Sequence, residues 1–122
     1  MNPSLSFVLL FVSDPLTSKS FYGRLLALNP VEESPTFVMF ALPNGVMLGL
    51  WSKKTAEPKV EAAPGASEVC FTEKDVDGVY ASWKKRGVSF AQTPTEMDFG
   101  YTFVALDPDG HRIRVFWPKE EG

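Results

Sequence analysis

Residues 103–118 read F-V-A-L-D-P-D-G-H-R-I-R-V-F-W-P, and this stretch decides the fold. The sequence D-P-D-G at 107–110 is typical of a tight turn, because proline presets φ and glycine accepts a positive φ without strain. The segments on either side are apolar and partly β-branched, which predicts a β-hairpin. The stretch 41–51, A-L-P-N-G-V-M-L-G-L-W, repeats this arrangement in the first half of the chain. The repetition indicates an internal duplication.

The residues before each hairpin predict the same order of elements twice. The first copy is a strand, a helix and three strands, predicted at residues 5–12, 14–27, 31–33, 36–42 and 46–51. The second copy is predicted at residues 68–72, 75–85, 88–92, 101–106 and 112–117, with a loop at 93–98. This order predicts an α+β fold of two tandem βαβββ modules, whose curved mixed sheets form a cleft.

Each predicted helix begins at an aspartate that can cap its first turn. Asp14 precedes Pro15, and proline is favoured at the first helical position. The inward side of this helix is predicted to carry Leu16, Phe21, Leu25 and Leu26. Asp75 begins the second helix, whose inward side is predicted to carry Val76, Val79, Tyr80 and Trp83.

Residues 53–66, K-K-T-A-E-P-K-V-E-A-A-P-G-A, differ in composition from the rest of the chain. They are charged, rich in alanine and proline, and without hydrophobic periodicity, which favours a solvated linker over the alternative of a lid above a pocket. The predicted modules are therefore residues 1–52 and 67–122, within a single structural domain.

The composition narrows the classes of function. A net charge of −3 argues against a nucleic acid or an anionic membrane as partner, since both attract basic patches. The single cysteine excludes an intrachain disulfide and fits the reducing cytoplasm. Apolar runs are far shorter than a membrane span. The 10 phenylalanines, 3 tryptophans and 3 tyrosines are enough to line a large apolar cavity.

Three motifs carry a resemblance to a known family: V-S-D-P-x-x-S-x-x-F-Y at 12–22, D-V-D at 75–77 and D-P-D-G-H-x-I-R-V at 107–115. In these motifs the chain resembles the vicinal-oxygen-chelate superfamily of glyoxalases, extradiol dioxygenases and bleomycin-resistance proteins. In its enzymes, metal ligands usually occupy four strand positions, which the resemblance places at Phe7, Gly49, Glu68 and Arg114. Only Glu68 is a ligand for a divalent metal. The expectation is a site without metal or other cofactor.

Within the superfamily, the chain is similar to metal-free proteins of the phenazine-antibiotic resistance type. The similarity lies in the S-D-P-L-T-S-K-S-F-Y opening, G-L-W-S at 49–52, S-E-V at 67–69 and the final hairpin. It implies a homodimer that holds a planar aromatic ligand between aromatic side chains, with Trp51 as a stacking residue. No catalytic residue is implied.

Strand alternation extends this set of candidate residues. If Gly49 and Phe7 face the cleft, then Met47, Trp51 and Leu9 face it too. If Arg114 faces the cleft, so does Phe116, two positions further along the same strand. The predicted ligand-binding set is Trp51, Phe7, Leu9, Met47, Gly49, Glu68, Arg114 and Phe116. For Trp51, the alternative to stacking on a ligand is packing in the core or in a dimer. Gly49 either clears space for a ligand or admits a neighbouring strand.

Glu68 and Arg114 are predicted either to form a structural ion pair or to hold a ligand carboxylate through the arginine. His111 is expected at the surface or in the turn, and Cys70 is expected to be an inert core residue. Together with this cleft lining, the resemblance implies sequestration of a planar aromatic molecule, such as a phenazine, without turnover. A lyase, isomerase or dioxygenase-like enzyme of the superfamily is the alternative, and a dimer with a collapsed cleft is a third.

Overall fold

Both Pro-Asx-Gly sequences form turns in the computed structural model, which describes residues 2–120. The amide of Gly110 donates to the carbonyl of Asp107, and the amide of Gly45 donates to the carbonyl of Leu42, each at 3.0 Å. Both glycines have positive φ, 93° and 90°, a region that other residues rarely adopt. The Asp107 carboxylate also accepts from the amide of His111, at 2.8 Å, so this histidine belongs to the turn as predicted.

The chain divides into two units, Met1–Ala62 and Ala63–Gly122. The first contains β1 (Phe7–Val12), α1 (Pro15–Leu26), β2 (Glu32–Glu33), β3 (Phe37–Ala41) and β4 (Met47–Ser52). Its sheet has the order β1-β4-β3-β2, and β1 runs parallel to β4 while the other pairs are antiparallel.

The second unit repeats this topology. It contains β5 (Glu68–Thr72), α2 (Val76–Lys85), β6 (Ser89–Met97), β7 (Gly100–Leu106) and β8 (Arg112–Pro118), with the sheet order β5-β8-β7-β6. The predicted α+β class with two βαβββ modules is confirmed. The exact module boundaries and a separate linker at 53–66 stay predictions, and the division between the units falls inside that segment.

The inward side of α1 differs from the prediction. Asp14 caps the helix as expected, accepting from the amide of Leu16 at 3.2 Å. The buried residues, however, are Pro15, Ser18 and Tyr22, while Leu16 is 39 % exposed. The buried positions follow the helical period of 3.6 residues, and the small Ser18 completes this stripe. The predicted position of Leu16 on the buried side of the helix is therefore wrong.

The core of the second unit is aromatic and lies between α2 and its sheet. The fully buried ring of Phe103 contacts Tyr80, Trp83 and Phe90, with ring centroids 5.4–5.6 Å apart. Edge-to-face pairs of this kind contribute about 0.5–1.5 kcal/mol each beyond the burial of area. Because Phe103 pairs with Val115, the odd-numbered positions of β8 face the helix.

The second strand of this unit is longer than predicted. β6 continues to Met97 through the residues predicted as a loop, 93–98. Its pairing with β7 is irregular, since the register shifts between Phe90 and Gln92 and again between Gln92 and Thr95. Such bulges insert unpaired residues into a strand and redirect its side chains.

Candidate functional site

The face of the first sheet opposite α1 is apolar. Phe40 and its pairing partner Leu48 lie on the helix side, because Phe40 approaches Gly23 of α1. Alternation therefore directs the neighbouring positions of the three paired strands to the other side. These residues, here called the apolar face, are Phe7, Leu9, Phe11, Phe37, Met39, Met47, Gly49 and Trp51. Every side chain in the set is apolar.

A depression of about 390 Å³ lies on the apolar face. It is lined by Phe7, Leu9, Phe37 and Trp51. The ring of Phe37 lies 6.3 Å from that of Trp51, nearly perpendicular to it, and 6.3 Å from that of Phe7. Phe7 and Leu9 of β1 are 36 % and 38 % exposed, so two large apolar side chains of the depression face solvent.

Gly49 lies beneath the side chains that line the depression. A methyl group at this position would meet Phe7 Cε1 at 2.6 Å, Leu9 Cδ2 at 2.7 Å and Phe37 Cε1 at 3.2 Å. The missing side chain therefore lets Phe7 and Leu9 lie close to the strand, and the space is filled by neighbouring side chains. Of the two predicted uses of Gly49, this geometry matches close packing by neighbours.

The face of the second sheet opposite α2 is charged. Glu68, Arg112 and Arg114 lie on adjacent strands, and these three residues are here called the charged face. Arg114 donates to Glu68 through two nitrogens, Nε to Oε2 at 2.7 Å and Nη2 to Oε1 at 3.2 Å. Arg112 forms a second ion pair through its Nη2 to Oε1 of Glu68. The predicted contact between Glu68 and Arg114 is confirmed.

Arg114 also donates to neutral oxygens of two further strands. Its Nη1 lies 3.0 Å from Thr102 Oγ1 and 3.3 Å from Gln92 Oε1. Thr102 is fully buried, and its hydroxyl in turn donates to the carbonyl of Val115 at 2.9 Å. The guanidinium therefore joins β5, β6, β7 and β8, and only 14 % of its side chain is exposed.

Two phenylalanines lie beside these charges. The Phe99 ring covers the Arg114 guanidinium, with 5.5 Å between Cζ and the ring centroid, a cation–π geometry. Phe116 contacts Phe99 edge to face at 6.1 Å. Phe99 is 41 % exposed, so an aromatic surface borders the ion pairs.

The ion pairs set the protonation states of the charged face. The hydrogen bond from Arg114, followed by the charges of both arginines, lowers the pKa of Glu68 below its ordinary value of 4.5, against the opposing effect of partial burial. The same hydrogen bond raises the pKa of Arg114. Both groups are therefore ionised near neutral pH.

Cys70 is exposed, which contradicts its predicted place in the core. It lies two residues after Glu68 on the same face, and its thiol donates to Glu68 Oε2 at 3.7 Å. Although the residue is exposed, partial desolvation of its sulfur and then the negative charge of Glu68 raise the pKa of the thiol. The thiol is thus the protonated, weakly nucleophilic form near neutral pH, as expected for an inert cysteine.

The donors at the four family metal positions do not suit a divalent metal. Phe7 and Gly49 supply no donor atom, and both oxygens of Glu68 accept from arginines. A metal would have to displace a guanidinium and lie beside two cations. Within residues 2–120, no cluster of three histidine, cysteine or acidic side chains could hold a metal ion.

The structure places the eight predicted site residues in two groups. Phe7, Leu9, Met47, Gly49 and Trp51 share the apolar face, and Glu68, Arg114 and Phe116 share the corresponding face of the second sheet. Their roles toward a ligand stay predictions. Sequence reasoning missed Phe37, Gln92, Phe99 and Thr102. Of these, alternation along β3 could have found Phe37, since it pairs with Trp51.

The profile of the Glyoxalase/Bleomycin resistance protein/Dioxygenase superfamily matches residues 4–115. The chain belongs to this superfamily. The predicted resemblance is thereby confirmed. The phenazine antibiotic resistance protein EhpR of Enterobacter agglomerans is 33 % identical to this chain over 121 residues, which cover 94 % of this chain and 91 % of that protein.

Solved structures of relatives have the same fold. The solution structure of protein ATC0852 from Agrobacterium tumefaciens is 45 % identical, has a TM-score of 0.88, and covers 98 % of this chain and 100 % of its own. A glyoxalase/bleomycin resistance protein/dioxygenase from Nocardioides is 23 % identical with a TM-score of 0.84, and the match covers 100 % of this chain and 87 % of that one. At this identity the likeness is evidence for a shared fold only. Between residues 2 and 120, no helix has the length and hydropathy of a membrane span.

Proposed function

We propose that this superfamily member binds and sequesters a planar aromatic small molecule of the phenazine type, without chemical turnover. The observation that carries the proposal is the depression on the apolar face, which is lined by three aromatic rings and Leu9. Its volume of about 390 Å³ lies within the roughly 300–1,000 Å³ typical of small-molecule pockets. Flat polycyclic compounds match such a lining, because they can stack on indole and phenyl rings.

Trp51 is the residue that we assign to stacking. Its indole is half-buried, and it is held edge-on by Phe37 and tilted against Phe11, whose ring lies 6.2 Å away. Contacts on two sides fix the ring while part of it faces solvent. A fixed ring loses little conformational entropy on binding, which favours affinity.

The similarity to EhpR supports the same class of ligand. That protein is named for phenazine antibiotic resistance, and the similarity extends over nearly the whole of both chains. Resistance by sequestration requires only tight binding and enough protein. We propose further that the chain acts in the cytoplasm as a homodimer and needs no cofactor.

The titratable side chains of the charged face and its neighbour Cys70 are poorly suited to act as a general acid or base. A general acid or base works best with a pKa near the operating pH. The pKa of Glu68 is lowered and that of Cys70 is raised, so both groups are moved away from neutrality. These shifts favour binding over the alternative of a lyase or isomerase.

The test is a titration with phenazine and phenazine-1-carboxylate, followed by tryptophan fluorescence and calorimetry. Stacking on Trp51 is expected to quench its emission. We expect Trp51→Ala to weaken binding by about 1–3 kcal/mol, from lost stacking and buried area. The matched control is Trp117→Ala, which removes a 40 % exposed tryptophan at the end of β8 and should leave affinity unchanged.

Two results would contradict the proposal. One is an unchanged dissociation constant in folded Trp51→Ala. The other is conversion of more than one equivalent of phenazine-1-carboxylate during incubation with the protein, measured by mass spectrometry, which would favour the enzymatic alternative.

A further inference from the structure

Glu32 lies on the same side of the first sheet as the apolar face. It pairs with Met39 across β2 and β3, and residues paired directly across two strands point to the same side. The next residue, Glu33, pairs with the fully buried Val38 and points toward α1, where its carboxylate lies 2.9 Å from Lys19 Nζ. Alternation along β2 therefore places two adjacent glutamates on opposite sides of the sheet.

A row of paired residues connects the depression to the carboxylate of Glu32. Leu9 lines the depression and pairs with Gly49 of the next strand. Gly49 pairs with Met39, and Met39 pairs with Glu32 in the edge strand β2. Because neighbouring strands lie about 4.8 Å apart, the backbone of Glu32 is about 10 Å from that of Gly49. A planar ligand along this row can keep its rings on apolar side chains and place a substituent beside the carboxylate.

The carboxylate of Glu32 is the charge that such a ligand meets on this side of the sheet. Among the strand residues of the first unit that the structure describes on this side, Glu32 alone is charged, and it is exposed. The backbone groups of the central strand β4 are used in pairing with β1 and β3. A carboxylate on the ligand would therefore lie near a like charge, and an ammonium group near an opposite charge.

We propose that Glu32 determines the charge preference of the apolar face: it favours planar aromatic ligands with a cationic substituent and disfavours those with a carboxylate. The inference rests on the proposed function and names its class of ligand. Stacking of the rings provides the affinity, whereas Glu32 discriminates between ligands by attraction and repulsion at the edge of the sheet.

The experiment compares dissociation constants for phenazine, phenazine-1-carboxylate and 1-(aminomethyl)phenazine near neutral pH. The two substituted compounds carry opposite charges at the same ring position, and uncharged phenazine is the reference. Relative to phenazine, the wild type should bind the ammonium compound more tightly and the carboxylate more weakly. Glu32→Gln should narrow the difference between the two by about two- to fivefold, a modest factor because the glutamate is exposed and solvent screens its charge. Glu32→Lys should invert the order.

Glu33→Gln is the matched control, because it removes the same charge from the adjacent residue on the opposite side of the sheet. Both variants change the net charge of the protein equally, but Glu33→Gln should keep the wild-type difference between the two charged phenazines. Circular dichroism establishes that each variant is folded. A salt titration of the wild type from about 0.05 to about 0.5 M should reduce the difference, since salt screens exposed charges.

The outcomes separate this inference from the proposed function. A narrowed difference in Glu32→Gln alone supports the assignment. If phenazine binds but the wild type prefers the carboxylate, the assignment of Glu32 is wrong while the proposed function stands. The same holds if Glu32→Gln keeps the full difference, or if Glu33→Gln reduces it as much. If the wild type binds none of the three compounds, the proposed function fails and this inference fails with it.

Discussion

Replacement of Arg114 by methionine is the sharpest test of how the charged face stabilises the fold. Methionine keeps most of the side-chain length but donates no hydrogen bond. Arg114→Met removes both donations to Glu68, at 2.7 and 3.2 Å, and leaves the Oγ1 atom of Thr102 without its donor. Glu68 keeps the ion pair with Arg112 and the long contact from the Cys70 thiol.

The magnitude follows from how far each group is exposed. Breaking a fully buried ion pair costs about 3–5 kcal/mol, because one charge is left without a partner. Here Glu68 and Arg114 are 23 % and 14 % exposed and Glu68 keeps Arg112, so we expect a loss of about 2–3 kcal/mol. The control Arg112→Met removes one pair at a 39 % exposed side chain and should cost about 0.5–1 kcal/mol.

The assay is urea unfolding followed by far-ultraviolet circular dichroism, with stability taken from the midpoint at unchanged slope. The pH dependence gives a second reading. The pKa of Glu68 is lower in the folded state than its ordinary value of 4.5, so the ion pair stabilises fully above that value. Its contribution is lost as the pH falls through the folded-state pKa. The difference between wild type and Arg114→Met should therefore shrink in acid.

Two results would refute this reasoning. Arg114→Met could be no less stable than Arg112→Met, which would mean that the four hydrogen bonds of Arg114 contribute no more than the single, more exposed ion pair of Arg112. Alternatively, its stability deficit could be the same in strongly acidic buffer as at neutral pH, in which case the deficit does not come from the charge of Glu68.

Other predictions concern the apolar face and the assembly. Gly49→Ala should weaken phenazine binding by roughly 1 kcal/mol, because the added methyl pushes Phe7 and Leu9 into the depression, and tighter binding in the titration would contradict this. The proposed homodimer should have about twice the chain mass of 13.5 kDa by light scattering at micromolar concentration, and a monomeric mass would exclude it.

The fold was predictable because local signals agreed with one another. The turn at 107–110 and its counterpart at 43–45 both predict hairpins, and Asp14 and Asp75 both cap helices. The stripe of α1 was not predictable from hydrophobicity, because Ser18 occupies a buried position and Leu16 an exposed one. Packing against a particular sheet decides such cases.

The candidate site was predictable only along single strands. Alternation places Met47, Gly49 and Trp51 on one face, and the structure agrees. Gln92 could not be found in this way. Phe90 and Gln92 are two positions apart and would face the same side of a regular strand, but the register shifts between them. Phe90 therefore packs in the core, while Gln92 contacts Arg114. Bulges are set by pairing between strands, which a single segment does not reveal.

The irregular β6 strand has a further consequence for behaviour at high concentration. β6 is an edge strand, and an open edge can recruit strands from other molecules into aggregates. Its two register shifts break the repeat of amide and carbonyl groups, and Pro94 within it has no N–H to donate. This edge is therefore poorly suited to pair with strands of other molecules. Such protection is consistent with the proposed sequestration, in which each protein molecule binds one ligand molecule and a high protein concentration is needed.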